Sequence, residues 1–402
     1  CVAPLIRRGG KVASVGLVDI LYAFSSTPSR LVRTEVASCC RTLMCALPTL
    51  GVSLLNDFMS AMAKDHGDLV GLAATSRKKR PTTQERDAAT RILLSLRGRS
   101  MAVAGLLYAL PSCILGVPHS TSSEVLYLGT AFLHHHSDGM LIPSASSACA
   151  AAGWMMISGL FAGMGISALQ PHFASLFQVF EEVFPAGAAP RSLYVTGGDK
   201  KALQHELEAI NAASTALLHL MRSWPTMHEE RPDLMTKCAA CILNLVSSLG
   251  SPDVSLKIVK EGGATDDAKE SEGGGTTLTS HVLFLTIHAS TMEMSSLLPL
   301  DPTFLNDSFP RFAASFPALL ASTSRVLAHG TYGETTLLAT HCLLDGRDGV
   351  LQTGSLQWQS CSHAGPTSHS VSFGGESVEC DALRNGIAST WGGSSGGTGG
   401  KS

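Results

Sequence analysis

The sequence predicts an all-α protein, a run of helices in series. Three observations carry this. Of the 402 residues, 45% are hydrophobic but only 6% aromatic. The apolar share is mostly Ala, Leu, Val and Met, a mix that favours helices over sheets. Apolar residues recur on single helical faces through most of the first 250 positions. No strand-rich block interrupts them. The expected helices are roughly 15 to 25 residues long, separated by short Pro/Gly/Ser breaks. Consecutive helices with short links pack as antiparallel hairpins. A long series of hairpins is either a large bundle or a superhelical solenoid. No strict internal repeat is visible, and helix-pair repeats tolerate such degeneracy.

The elements read in order as follows. In "LVRTEVASCCRTLMCALP", Val32, Val36, Cys39, Cys40, Leu43, Met44 and Leu47 share one face, and Pro48 ends the helix. "VSLLNDFMSAMA" gives a short helix from about Val52 to Ala63. "TSRKKRPTTQE" is polar and carries a Pro, so it is a loop. A long helix spans about Glu85 to Leu110, with a break expected near Gly98. "SSEVLYLGTAFLHHH" is the next, with Ser122 or Ser123 as its cap.

Residues 145–169, "ASSACAAAGWMMISGLFAGMGISAL", hold no charge, and from Ala148 to Ile166 the sole polar side chain is Ser158. A helix of this length would nearly cross a bilayer. Gly159 and Gly163 have the small-xxx-small spacing of membrane helix pairs. Against a membrane span, the stretch is Ala/Gly-rich, and its nearest basic residues are Arg99 and Arg191. The amphipathic "PHFASLFQVFEEVF" follows at once, as a hairpin partner would. The expectation is a helix buried in a soluble protein, with the two glycines marking close packing. Beyond it, Leu169, Phe173, Leu176, Phe177, Phe180, Val183 and Phe184 form one stripe. Leu203, Leu207, Ile210, Leu217 and Met221 form a second, and Leu234, Cys238, Cys241, Leu245 and Leu249 a third.

The net charge of −3 argues against a general nucleic-acid binder. Eleven cysteines are scattered without framework spacing. Cys39, Cys40 and Cys45 read as small buried hydrophobes of a reducing compartment. No secretory signal is expected, and a chain opening on Cys1 is expected to be part of something longer.

Candidate chemical motifs are few. His134, His135 and His136 with Asp138 invite a metal reading. Adjacent helical positions diverge by about 100°, so three consecutive histidines cannot face one ion. A polar helix end is expected instead. Cys238 and Cys241 have the CxxC spacing but lie mid-helix on an apolar stripe, away from the helix N-terminus a redox pair needs. "SGGTGGKS" lacks the first Gly of a phosphate-binding loop, and "GGSSG" matches a nucleophile elbow only inside low complexity. Arg77, Lys78, Lys79 and Arg80 form a basic run, read as a solvated loop with a contact role, nuclear import or acidic lipid, as the functional alternative. No paired carboxylates and no Ser-His-Asp or Cys-His arrangement stand out. The chain is expected to be non-catalytic, with no cofactor, metal or small-molecule substrate.

Three segments resemble the HEAT repeat-containing protein 5 family. The first is "RGRSMAVAGLLYALPSCILGVPHS", through Gly98, Ser100, Ala102, Ala104, Leu106, Leu107, Cys113, Leu115, Gly116, Pro118 and His119. The second is Ala152-Gly153-Trp154 with its apolar helix and the later Val183-Phe184-Pro185. The third is Arg33, then Cys40-Arg41, then Ala46-Leu47-Pro48. The likeness covers residues 30–185 well and 200–250 only as helix pattern. The basic loop is an insertion relative to it.

The resemblance implies a HEAT/armadillo-type α-solenoid of antiparallel helix hairpins. It implies a non-catalytic cytoplasmic scaffold in endosome-to-Golgi transport, peripheral to endosomes and the trans-Golgi network. Its partners would be proteins, a clathrin adaptor complex or its accessory subunits, with no nucleic acid. A HEAT-type scaffold in another pathway, such as nuclear transport, is the alternative, supported by the basic loop alone. On this reading residues 1–250 are HEAT-like repeats, 251–277 an acidic and glycine-rich linker, 278–345 a further hairpin, and 346–402 a disordered low-complexity tail. Within 278–345, helices are expected from about Leu278 to Leu298 and Asp307 to Ala328.

Overall fold

The computed structural model describes residues 10–76, 82–113, 119–134, 143–164, 166, 169–183, 200–262, 274–298, 314–323 and 326. The described residues are helical throughout, with no strand among them. The helices are α1 (Gly10–Ser25), α2 (Arg30–Ala46), α3 (Pro48–Ser76), α4 (Thr83–Tyr108), α5 (His119–His134), α6 (Pro143–Met164), α7 (Phe173–Val183), α8 (Lys200–Ser223), the short α9 (Met227–Glu230), α10 (Pro232–Leu249), α11 (Pro252–Gly262), α12 (Gly274–Ser296) and α13 (314–323).

Local chemistry sets several boundaries. Thr82 caps α4 through a capping box: its hydroxyl accepts from the Glu85 amide at 3.2 Å, and the Glu85 carboxylate accepts from the Thr82 amide at 2.7 Å. Proline opens α3, α6, α10 and α11. This is the position where its missing N–H costs nothing. Pro48 therefore ends one helix and begins the next. The Ser322 hydroxyl of α13 donates to the Gly250 carbonyl at 3.1 Å, tying α13 to the junction of α10 and α11.

The α2, α4, α6, α8 and α12 helices form one continuous row, each packing on the next. The α3 helix packs on α2 and α4, α5 on α6, and α10 and α11 on α12. This arrangement is compatible with an α-solenoid. The core runs along the row and is contiguous from Leu21 to Val326. Its largest fully buried side chains include Phe58, Phe132, Trp154, Phe161, Phe177, Phe180 and Phe284. Each contributes about 1.5–3 kcal/mol relative to exposure. Trp154 of α6 lies on Phe180 of α7 at 4.0 Å between centroids, and Phe173 of α7 stacks on Trp224 at 5.5 Å.

The helices of the row meet backbone to backbone at glycine. A Cβ on Gly105 would sit 2.3 Å from the Ala37 carbonyl oxygen of α2. A Cβ on Gly163 would sit 2.2 Å from the Leu107 carbonyl oxygen of α4, and one on Gly159 3.0 Å from the Ala104 Cα. The small residues of α6 thus mark helix contact inside this fold. Two helical stretches, Thr83–Ser112 and Ala145–Met164, are long and apolar enough to cross a membrane, and 83% and 78% of their apolar windows are buried by protein neighbours.

The structure departs from sequence expectation at five places. The helix expected at 52–63 runs from Pro48 to Ser76, because its polar second half still packs on α4 through Asp65 and Leu69. No break occurs at Gly98, whose missing side chain admits the Ser25 carbonyl. Ser122 and Ser123 do not cap α5, which begins at His119. Cys45 is exposed, whereas Cys40 is buried as expected and Cys39 partly so. The segment 251–277 contains α11 and the start of α12, held by buried Val254 and Ile258; 263–273 lies outside the described residues. The stripes on α8 and α10 are buried at every position named above.

Candidate functional site

The basic run Arg77, Lys78, Lys79 and Arg80 lies outside the described residues, as do His135, His136, Asp138 and the tail motifs at 392–402. His134 is exposed at the end of α5. Among the described residues no group of three or more His, Cys, Asp or Glu is arranged to hold a metal. Cys238 and Cys241 are buried in the middle of α10, and burial pushes both thiols up, Cys241 to about 12. They stay protonated and pack as core, which removes the thiolate a redox pair needs.

The polar chemistry of the fold sits instead between helices of the row. Ser158, the lone polar side chain of the apolar stretch, lies 2.6 Å from the Tyr108 hydroxyl of α4 and 2.8 Å from His219 Nδ1 of α8. Tyr108 and His219 are themselves 3.1 Å apart, with their rings edge to face. A hydroxyl beside an imidazole has the spacing of a nucleophile and its base. All three side chains are buried, however, and α4, α6 and α8 close around them. Burial, with Arg222 adding to it, pushes His219 down to about 3, so the ring is neutral at neutral pH. Burial pushes the Tyr108 phenol up. Buried in this way, the arrangement ties three helices together through the two hydroxyls and His219 Nδ1, while His219 Nε2 is left without a partner among the described residues.

A second cluster joins α2, α4 and α8, N-terminal to the first on both α4 and α8. Arg97 Nε lies 3.0 Å from Glu208 Oε2, and the Gln204 amide donates to Glu208 Oε1 at 3.2 Å. Arg97 also contacts the His205 ring. Arg33 donates to the carbonyls of Thr27 at 2.9 Å and Pro28 at 2.7 Å, and reaches Glu208 Oε1 at 4.0 Å. Burial pushes the Glu208 carboxyl up, but Arg97, Arg33, Arg30 and His205 outweigh it and hold it below the usual carboxylate range. Gly98 makes the cluster sterically accessible to Arg33, since a Cβ there would lie 2.9 Å from Arg33 Cδ.

Two further ion pairs lie along the fold. Arg99 of α4 pairs with Asp65 of α3, which also accepts from Ser95 at 2.9 Å, and its guanidinium lies 4.9 Å from the Tyr22 ring centroid. Arg222 of α8 pairs with Glu293 of α12.

Sequence reasoning missed these constellations. One signal was present for the first: a single hydroxyl in an otherwise apolar helix needs a buried partner. The Glu208 cluster joins residues of three distant segments, and no local spacing announces it. No family model matches this chain, and no solved structure matches it.

Proposed function

We propose that this chain is a non-catalytic, HEAT-type α-solenoid that binds proteins in vesicle trafficking, associated with clathrin adaptor complexes between endosomes and the trans-Golgi network. The observation that carries this reading is the row α2–α4–α6–α8–α12, in which alternate helices stack from α2 to α8 and α12 continues the row on α8. Paired contacts support a shared direction along it. Gly98 meets Arg33 while Gly105 meets Ala37; Gly159 meets Ala104 while Gly163 meets Leu107; Arg97 meets Glu208 while Tyr108 meets His219. Each pair advances the same way on both helices. The intervening helix returns: Gly153 meets Leu133 while Ile157 meets Gly129. Alternating up and down helices with like packed on like are what stacked hairpins give.

Within the three segments that resemble the HEAT repeat-containing protein 5 family, the described positions lie on or next to α2 to α7, while Leu115, Gly116, Pro118, Phe184 and Pro185 lie outside the described residues; the resemblance points the reading toward trafficking. Binding in such an array comes from the surface shape and charge of its helices, with no reactive group required. The test is localisation. The tagged chain is expected in cytoplasmic puncta that coincide with adaptor-bearing membranes and disperse on adaptor depletion. A diffuse or nuclear pattern, unchanged by depletion, contradicts the trafficking role.

A further inference from the structure

The cluster around Glu208 carries more positive charge than its neighbours balance. Arg30, Arg33 and Arg97 bring three guanidinium groups to one carboxylate. Arg33, Arg97 and Glu208 are 2%, 9% and 5% exposed. Among the described residues, Glu208 is the carboxylate that acts on both Arg30 and Arg33, against the like charge of Arg97. Donors are left over as well. Arg30 Nε and Nη2 and Arg33 Nε are buried and have no hydrogen-bond acceptor among the described residues. An uncompensated buried charge is costly, and so is a buried donor left unsatisfied. Burial pushes both arginines down, Arg33 to about 10.

We propose that Arg30, Arg33 and Arg97 form a binding site for a small oxyanion of the phosphate class, which takes up the excess positive charge and the orphaned guanidinium donors. Guanidinium forks match tetrahedral oxyanions in geometry, and charge-assisted bonds are the strong ones. The His205 side chain keeps 15% exposure beside Glu208 and marks the edge by which the anion enters. The depth of Arg33 and Arg97 selects a free anion over a headgroup held in a bilayer. The site is independent of the trafficking role: it stands on the charge balance between α2, α4 and α8.

The test is thermal denaturation of the full chain at constant ionic strength, with sodium chloride exchanged stepwise for sodium phosphate. The expected result is a saturable rise in Tm with phosphate, and titration calorimetry giving one phosphate per chain. Arg30→Met is the variant of choice, because Arg33 also holds the Thr27 and Pro28 carbonyls that precede α2. Arg30→Met should weaken phosphate binding about tenfold or more. In chloride alone its Tm should equal or exceed that of the parent, since one unbalanced charge has gone. Vesicles of phosphatidylcholine with phosphatidylinositol phosphate should not sediment the chain more than phosphatidylcholine alone. Phosphate that shifts Tm no more than chloride, a variant that keeps the full shift, a variant less stable than the parent in chloride, or binding to the vesicles without binding to free phosphate would each overturn the site.

Discussion

Ser158 and His219 are joined at 2.8 Å inside the protein, on two helices that the sequence separates by several turns and loops. Ser158 Oγ also meets Tyr108, so one hydroxyl links α4, α6 and α8. Ser158→Ala should destabilise the fold by about 1–3 kcal/mol, the cost of leaving buried polar partners short of a bond. Urea unfolding at neutral pH checks this. A variant as stable as the parent would show that Tyr108 and His219 satisfy each other without it.

The same ring sets a pH dependence. His219 has an ordinary value of 6.5 and a folded value of about 3, and His288 is pushed from 6.5 to about 4 by burial. Below 6.5 the unfolded chain takes up protons that the folded chain refuses. The stability due to these groups is therefore complete above about pH 6.5 and declines as pH falls toward their folded values. Glu208, held below its ordinary range, adds to the loss in the acid region. Urea midpoints should fall steadily from pH 7 toward pH 4, and His219→Gln should flatten part of that slope.

Glycine positions should divide sharply by their surroundings. Gly105→Ala forces a methyl against the Ala37 carbonyl and should cost about 1–3 kcal/mol or more. Gly67→Ala meets nothing within 4 Å at an exposed position of α3 and should stabilise by about 0.5–1 kcal/mol. Thermal unfolding of the two variants side by side checks the difference in sign.

Thiol reactivity reports the same packing. Cys45 is exposed, whereas Cys40, Cys113, Cys149, Cys238 and Cys241 are buried. Burial pushes Cys149 up to about 12. Brief labelling of the native chain with a maleimide, followed by peptide mapping, should modify Cys45 well ahead of the buried five. Equal labelling would mean that α2 and α10 do not pack as described.

Much of the fold was legible because helical stripes repeat locally. Leu203, Leu207, Ile210, Leu217 and Met221 mark their face from sequence and are all buried. Helix ends were less legible. Pro48 looked like a stop, yet proline is equally at home at the start of a helix. Gly98 looked like a break, yet a carbonyl of a neighbouring helix fills the space its side chain leaves. The polar constellations were hidden for another reason. Arg97 has no local feature that names Glu208 as its partner, and only the packing of α4 and α8 on α6 brings them together. The basic run at Arg77 to Arg80 stands out in sequence and lies outside the described residues.

The measurement that bears most directly on the central claim is affinity capture from cytosol with the full chain as bait, read by quantitative mass spectrometry. A protein-binding solenoid of the trafficking pathway should enrich clathrin adaptor subunits or their accessory proteins over a bait of unrelated helical fold. Capture of no adaptor component, with the bait shown to be folded by its cooperative urea transition, would contradict the account.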